Sequence, residues 1–165
     1  MHVFAHNGHL PGIRSKLNFV AESFRPIVET DSEYAFCLLL ERLRSLWLHG
    51  DPIPPLVQRL TIVEEFASEL CPLGLANFLY SDGDAVFVHG HKRRHRDGHM
   101  RPPGLCLLRR TCPINGEPIQ AQGVTTKSPP QKVPLAASVP LTDEPWHPPE
   151  DGEIIAVVGG RSILS

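Results

Sequence analysis

No run of 18 or more apolar residues occurs in this 165-residue chain, so the sequence offers no helical membrane span. It has no CxxC pair either. Cys37, Cys71, Cys106 and Cys112 are scattered, and their even number alone is weak support for disulfides. An excess of basic charge is also lacking: the formal net charge is −2, which argues against a general nucleic-acid footprint. The N-terminus lacks the basic-then-apolar pattern of a secretory signal, and no internal repeat is visible. The expected setting is a reducing cytoplasm, where Cys37 and Cys71 serve as small hydrophobes. What is present is 41% apolar and 21% charged residues, the balance of a globular domain. A complete domain of this length buries roughly 70% of its unfolded surface. Seventeen prolines, many of them between residues 102 and 149, restrict long helices in that region.

The chain divides into helical patterns followed by extended ones. Val3-Phe4-Ala5 reads as a buried strand, and His6-Asn7-Gly8 as the turn at its end. Thr30 is placed as an N-cap with Glu33 as its reciprocal partner. Phe36, Leu39, Leu40, Leu43, Leu46 and Trp47 then recur at helical spacing, and Gly50-Asp51-Pro52 ends that helix. A second helix is expected from about Pro55 to Cys71, with Leu56, Leu60, Val63, Ala67 and Leu70 on one stripe. Ser81-Asp82-Gly83-Asp84, flanked by Leu75–Tyr80 and Ala85–Val88, is the clearest hairpin signal. Gly104–Leu108, Pro134–Val139, Gly152–Val158 and Arg161–Leu164 are further extended candidates, with Gly159-Gly160 as a tight turn. Thr111 to Lys132 reads as a polar loop. Helices first and strands afterwards predict an α+β fold with antiparallel pairing.

Asn7-Gly8 admits two readings. It is an ordinary hairpin turn, or it supplies a side-chain amide and a backbone N–H that converge as an oxyanion hole. The run "HGHKRRHRDGH" holds His89, His91, His95 and His99. Close imidazoles suit zinc, but the adjoining Lys92, Arg93, Arg94 and Arg96 oppose a cation, so a solvated connection and no metal site are expected. With no aromatic residues interleaved, the same run is not expected to bind nucleic acid. Trp47 and Trp146 are read as packing anchors. Ser32 and Ser138 lack any sequence hint of a partnered base and are assigned no nucleophilic role.

Taken together, "FAHNG", "TDSEYAFCLLLERL", "NFLYSDGDAVFVHGHKR", "GLCLLRR" and "ASVPLTDEPW" resemble the class II glutamine amidotransferases, particularly the YafJ-type subgroup. The likeness spans nearly the whole chain and is weakest from Thr111 to Lys132. It implies an N-terminal-nucleophile hydrolase fold, an αββα sandwich of antiparallel sheets. The family's chemistry releases ammonia from glutamine, or cleaves a related γ-glutamyl compound, through a γ-glutamyl thioester and needs no cofactor. An N-terminal cysteine supplies the thiolate, and its α-amino group serves as base. By resemblance, Asn7 and Gly8 form the oxyanion hole. Asp31 receives the α-ammonium of glutamine; its bland reading is an acid favoured by the helix dipole.

One departure stands out. Family members begin Met-Cys, whereas here Met1 is followed by His2, and the segment whose arginine grips the glutamine α-carboxylate is not matched. The resemblance therefore implies that residues 1–165 are one partial domain, incomplete on its N-terminal side and inactive alone. Its first strand is expected to lack a sheet neighbour that a partner chain or an upstream segment would supply. The alternative is a non-catalytic γ-glutamyl-binding or assembly module, which would bind ligand without turnover.

Overall fold

The computed structural model describes residues 1–16, 23–48, 53–112, 119–121, 124–126, 131–150 and 152–164. The elements run in the order β1 (Val3–His9), α1 (Ile13–Lys16), α2 (Asp31–Trp47), α3 (Leu56–Leu70), β2 (Leu75–Ser81), β3 (Ala85–His89), β4 (Arg93–Arg94) and β5 (Met100–Arg101). They continue with β6 (Cys106–Cys112), β7 (Ile119–Ala121), β8 (Val124–Thr126), β9 (Gln131–Ala137), β10 (Ile154–Val158) and β11 (Arg161–Leu164). A five-stranded sheet of order β1-β2-β3-β10-β11 dominates, and β6 pairs with β9 in a second sheet. All the pairings within these two sheets are antiparallel, as the α+β reading expects.

Each face of the large sheet has its own core. Phe78 and Tyr80 from β2, Phe87 from β3 and Ala156 from β10 point one way, toward Leu39 and Leu43 of α2 and Phe66 and Leu70 of α3. Their neighbours Leu79, Val88, Ile155 and Val157 point the other way, toward Leu105, Leu107 and Ala136 at the second sheet. This is the two-residue alternation of a strand buried on both faces. The stacking is helices, sheet, sheet. That sequence makes up three of the four expected αββα layers, and among the described residues no second helical layer is represented.

The helix caps match the sequence reading in part. Thr30 Oγ1 accepts from Glu33 N at 3.2 Å, but the Glu33 carboxylate does not return the bond. It accepts instead from Ile27 N and Val28 N at 2.8 and 2.7 Å, tying down the segment before the helix. Helix α3 begins one residue after Pro55, which suits a residue with no N–H to donate. It buries Arg59 and Phe66, which the leucine stripe did not include. The expected stop at Gly50-Asp51-Pro52 lies outside the described residues.

Three loop expectations are corrected. His6-Asn7-Gly8 is not a turn: β1 continues through it, pairing Asn7 with Asn77 and Gly8 with Ala76. Backbone pairing to β2 prevails over the Asn-Gly turn preference there. A Cβ on residue 8 would overlap Leu75 O, so glycine is needed for close approach. The polar stretch from Thr111 to Lys132 extends β6 and β9 and carries the β7–β8 pair. The histidine-rich run carries β4, which pairs with β5 just beyond its end, and is not a bare connection. The two glycine turns occur as read. Gly83 has φ +97° between β2 and β3, and Gly159 and Gly160, at +55° and +74°, join β10 to β11. Among the described residues, no helix is long and apolar enough to cross a membrane.

Candidate functional site

Register decides which side of the sheet Asn7 serves. Phe4 and His6 face the helices, where Phe4 stacks on Phe36 with ring centroids 5.6 Å apart. Asn7 therefore faces the second sheet, and a one-residue slip would turn it into the helical core. Its Nδ2 donates to Ser138 Oγ at 2.7 Å, just past the end of β9. A cavity of about 180 Å³ lies there, lined by Asn7, Asn77, Leu79, Leu105, Ala136 and Ser138 among others.

Asn77 is the buried counterpart of Asn7. Its Nδ2 donates to Asn7 O at 3.1 Å and to Lys92 O at 2.8 Å, while its Oδ1 accepts from His91 N at 2.8 Å. With three bonds satisfied it carries little desolvation penalty. It fixes β1 relative to the segment after β3. Gly104 packs so closely that a Cβ there would overlap Asn77 Oδ1. Sequence reasoning missed Asn77 and Ser138. Both lie in stretches that match the family, Asn77 in "NFLYSDGDAVFVHGHKR" and Ser138 in "ASVPLTDEPW", but nothing else local marks them as partners of Asn7.

Asp31 sits at the first position of α2 and reaches the far end of β1. Its Oδ2 accepts from Leu10 N at 2.7 Å, and its Oδ1 accepts from Ser32 N at 2.8 Å. His9 Nδ1 lies 3.4 Å away. Burial alone would raise its pKa. The two backbone donors and the nearby imidazoles of His6 and His9 outweigh that and hold the carboxyl below the usual carboxylate range. Asp31 is not among the residues lining the Asn7 cavity. Residues 7 and 10 are three steps apart along near-extended chain, about 10 Å.

His6 couples the same strand to the start of α2. Its Nε2 is 2.9 Å from Leu75 O, and a carbonyl only accepts, so this nitrogen carries the proton. Its Nδ1 lies within hydrogen-bond distance of Ser32 Oγ, at 2.9 Å. Ser32 thus has an imidazole partner that its sequence neighbourhood did not disclose.

The thiols are elsewhere. Cys37 and Cys106 are buried, and burial pushes both thiols up, with Glu33 adding to the effect at Cys37 and Arg93 opposing it at Cys106. Cys71 Sγ lies 3.4 Å from His89 Nε2 on the helical side of the sheet. None of the three is in a disulfide. Among the described residues, no group of three or more His, Cys, Asp or Glu could hold a metal ion. In the basic ribbon, His95 Nε2 meets Arg101 O at 3.0 Å and Asp97 pairs with Arg101 at 2.8 Å. Trp146 donates from Nε1 to Thr142 Oγ1 at 3.1 Å.

Comparison with known proteins extends these observations. An uncharacterized protein of Methanocaldococcus jannaschii is 30% identical over 98% of this chain and 43% of its own length. YafJ of Escherichia coli K12 is 31% identical over 91% of this chain and 55% of its own length. The chain therefore spans about half the length of the curated relatives it matches. The crystal structure of a predicted glutamine amidotransferase from Pseudomonas aeruginosa PA01 superposes with a TM-score of 0.72 at 29% identity, over 99% of this chain and 60% of that one. The family model described as "Glutamine amidotransferases class-II" matches residues 1–165. This chain belongs to the class II glutamine amidotransferases.

Proposed function

We propose that this chain supplies the oxyanion-binding and ammonium-binding part of a site that hydrolyses the γ-glutamyl amide of glutamine or of a related γ-glutamyl compound. The observation that carries the reading is on β1. The strand presents the Asn7 amide on its face toward the second sheet, and the chain just beyond it holds Asp31 ionised through Leu10 N. In this reading the Asn7 amide and the Gly8 N–H stabilise the oxygen of the tetrahedral intermediate. The Asp31 carboxylate receives the α-ammonium by a charge-assisted bond.

The nucleophile does not come from Cys37, Cys71 or Cys106. Two of these thiols are buried with raised pKa values, which lowers the thiolate fraction, and an internal cysteine has no α-amino group to act as base. The 165 residues alone are therefore expected to release no glutamate from glutamine above background. Robust turnover by a homogeneous preparation would refute this. Binding is expected to survive without chemistry. In an amide NMR titration with L-glutamine, Gly8 and Leu10 should shift, and Asp31→Asn should weaken binding by about tenfold or more. Unchanged affinity in that variant would remove Asp31 from the ligand site. If glutamine binds but a supplied N-terminal cysteine segment never brings turnover, the non-catalytic binding module is the better description.

A further inference from the structure

Two adjoining cavities at the second sheet share Arg109 and Pro134. The larger, about 410 Å³, is walled mainly by apolar side chains, including Leu107, Pro145, Pro148, Ile155 and Val157. The smaller, about 320 Å³, brings together Arg109, Lys132 and Arg161. Three basic side chains thus reach one concavity of a chain whose net charge is −2. Arg110, the next residue along β6, points to the other face of that strand, as the two-residue alternation requires, and pairs with Glu144, whose Oε1 lies 3.2 Å from Arg110 Nε. Glu153 is the carboxylate that lines the adjoining apolar cavity among the described residues.

The walls are held together by backbone. The β10–β11 turn sits so closely on β9 that a Cβ on Gly160 would come within 2.6 Å of Lys132 O. Arg161, which follows that turn, is therefore held near Lys132. Among the described residues no aromatic side chain lines the basic cavity, so they offer no platform for stacking bases.

We propose that this furrow binds a small organic phosphate, with the dianion between Arg109, Lys132 and Arg161 and the apolar body along Pro145, Pro148 and Ile155. Guanidinium groups match phosphate oxygens in paired hydrogen bonds. The site shares no residue with the glutamine site and stands or falls separately from it.

Phenyl phosphate is the probe, titrated calorimetrically into the full chain at physiological salt. Saturable binding is expected, weakened about tenfold or more by Arg109→Gln and by Arg161→Gln, with benzyl alcohol failing to compete. Arg109 and Arg161 are both exposed, so their replacement tests the site without disturbing the Arg110–Glu144 pair. Equal affinity in both variants would overturn the proposal. So would the same response to sodium chloride at matched ionic strength. Tighter, variant-sensitive binding of a single-stranded oligonucleotide would reassign the surface to nucleic acid and overturn it as well.

Discussion

Arg59→Ala is expected to destabilise the protein by about 3–5 kcal/mol, the usual cost of leaving one partner of a buried ion pair uncompensated. For a chain of this size that corresponds to a drop of about 6–20 °C in Tm. Arg59 Nη1 donates to Asp82 Oδ2 at 2.6 Å, and their side chains are 3% and 0% exposed. Nη2 reaches Asp84 at 2.8 Å. Asp82 in turn accepts from Asp84 N and Ala85 N, which closes the β2–β3 turn. One guanidinium in α3 thereby anchors the hairpin at the middle of the large sheet. Burial would raise the Asp82 pKa, but its backbone donors and Arg59 outweigh burial and lower it. A depressed folded pKa stabilises the fold above the unfolded value of about 3.9, and this contribution is lost as pH falls through the lower folded value. Acid unfolding should therefore be less steep in Arg59→Ala, and Asp82→Asn should restore part of its loss. Urea unfolding that differs from the parent by less than about 1 kcal/mol would mean the pair is solvated.

Asn7→Ala is expected to lower kcat about 100- to 1,000-fold in a form of the protein that turns over glutamine, the effect of removing one oxyanion donor. On the proposed reading, joining the chain to a segment that begins with cysteine is the way to such a form. The KM should change far less, because the amide meets charge that develops only in the transition state. The effect should be local. Asn7 pairs with Asn77 through backbone, and Asn77 keeps its own bonds to Asn7 O, Lys92 O and His91 N. A kcat within threefold of the parent would remove Asn7 from the oxyanion role. Ser138→Ala is the companion variant: it removes the hydroxyl that orients the amide, so a smaller loss of kcat is expected.

Local chemistry wrote much of this fold into the chain. Thr30 announces α2 because its hydroxyl accepts a backbone N–H that the first turn leaves unpaired. Asp82-Gly83 and Gly159-Gly160 announce their turns because few other residues adopt positive φ. Leu39, Leu43, Val63 and Leu70 reveal the buried helix faces by period alone. The likeness of "FAHNG" and "TDSEYAF" to one family marks Asn7 and Asp31 as candidate site residues. Other features depend on distant partners. Asn-Gly is a turn signal over four residues, yet seven cross-strand partners on β2 hold it extended. Arg59 sits where a helix reading expects solvent, and only the approach of Asp82 and Asp84 from 23 and 25 residues away makes its burial affordable. Ser138 meets Asn7 across 131 residues, and the three cations of the furrow come from three strands. By itself the sequence determined the two long helices, the glycine turns and the family, because each is set by residues close along the chain. Tertiary structure decided register, the partners of Asn7 and Asp31, and the basic cavity, because those contacts exist only once remote strands are brought side by side.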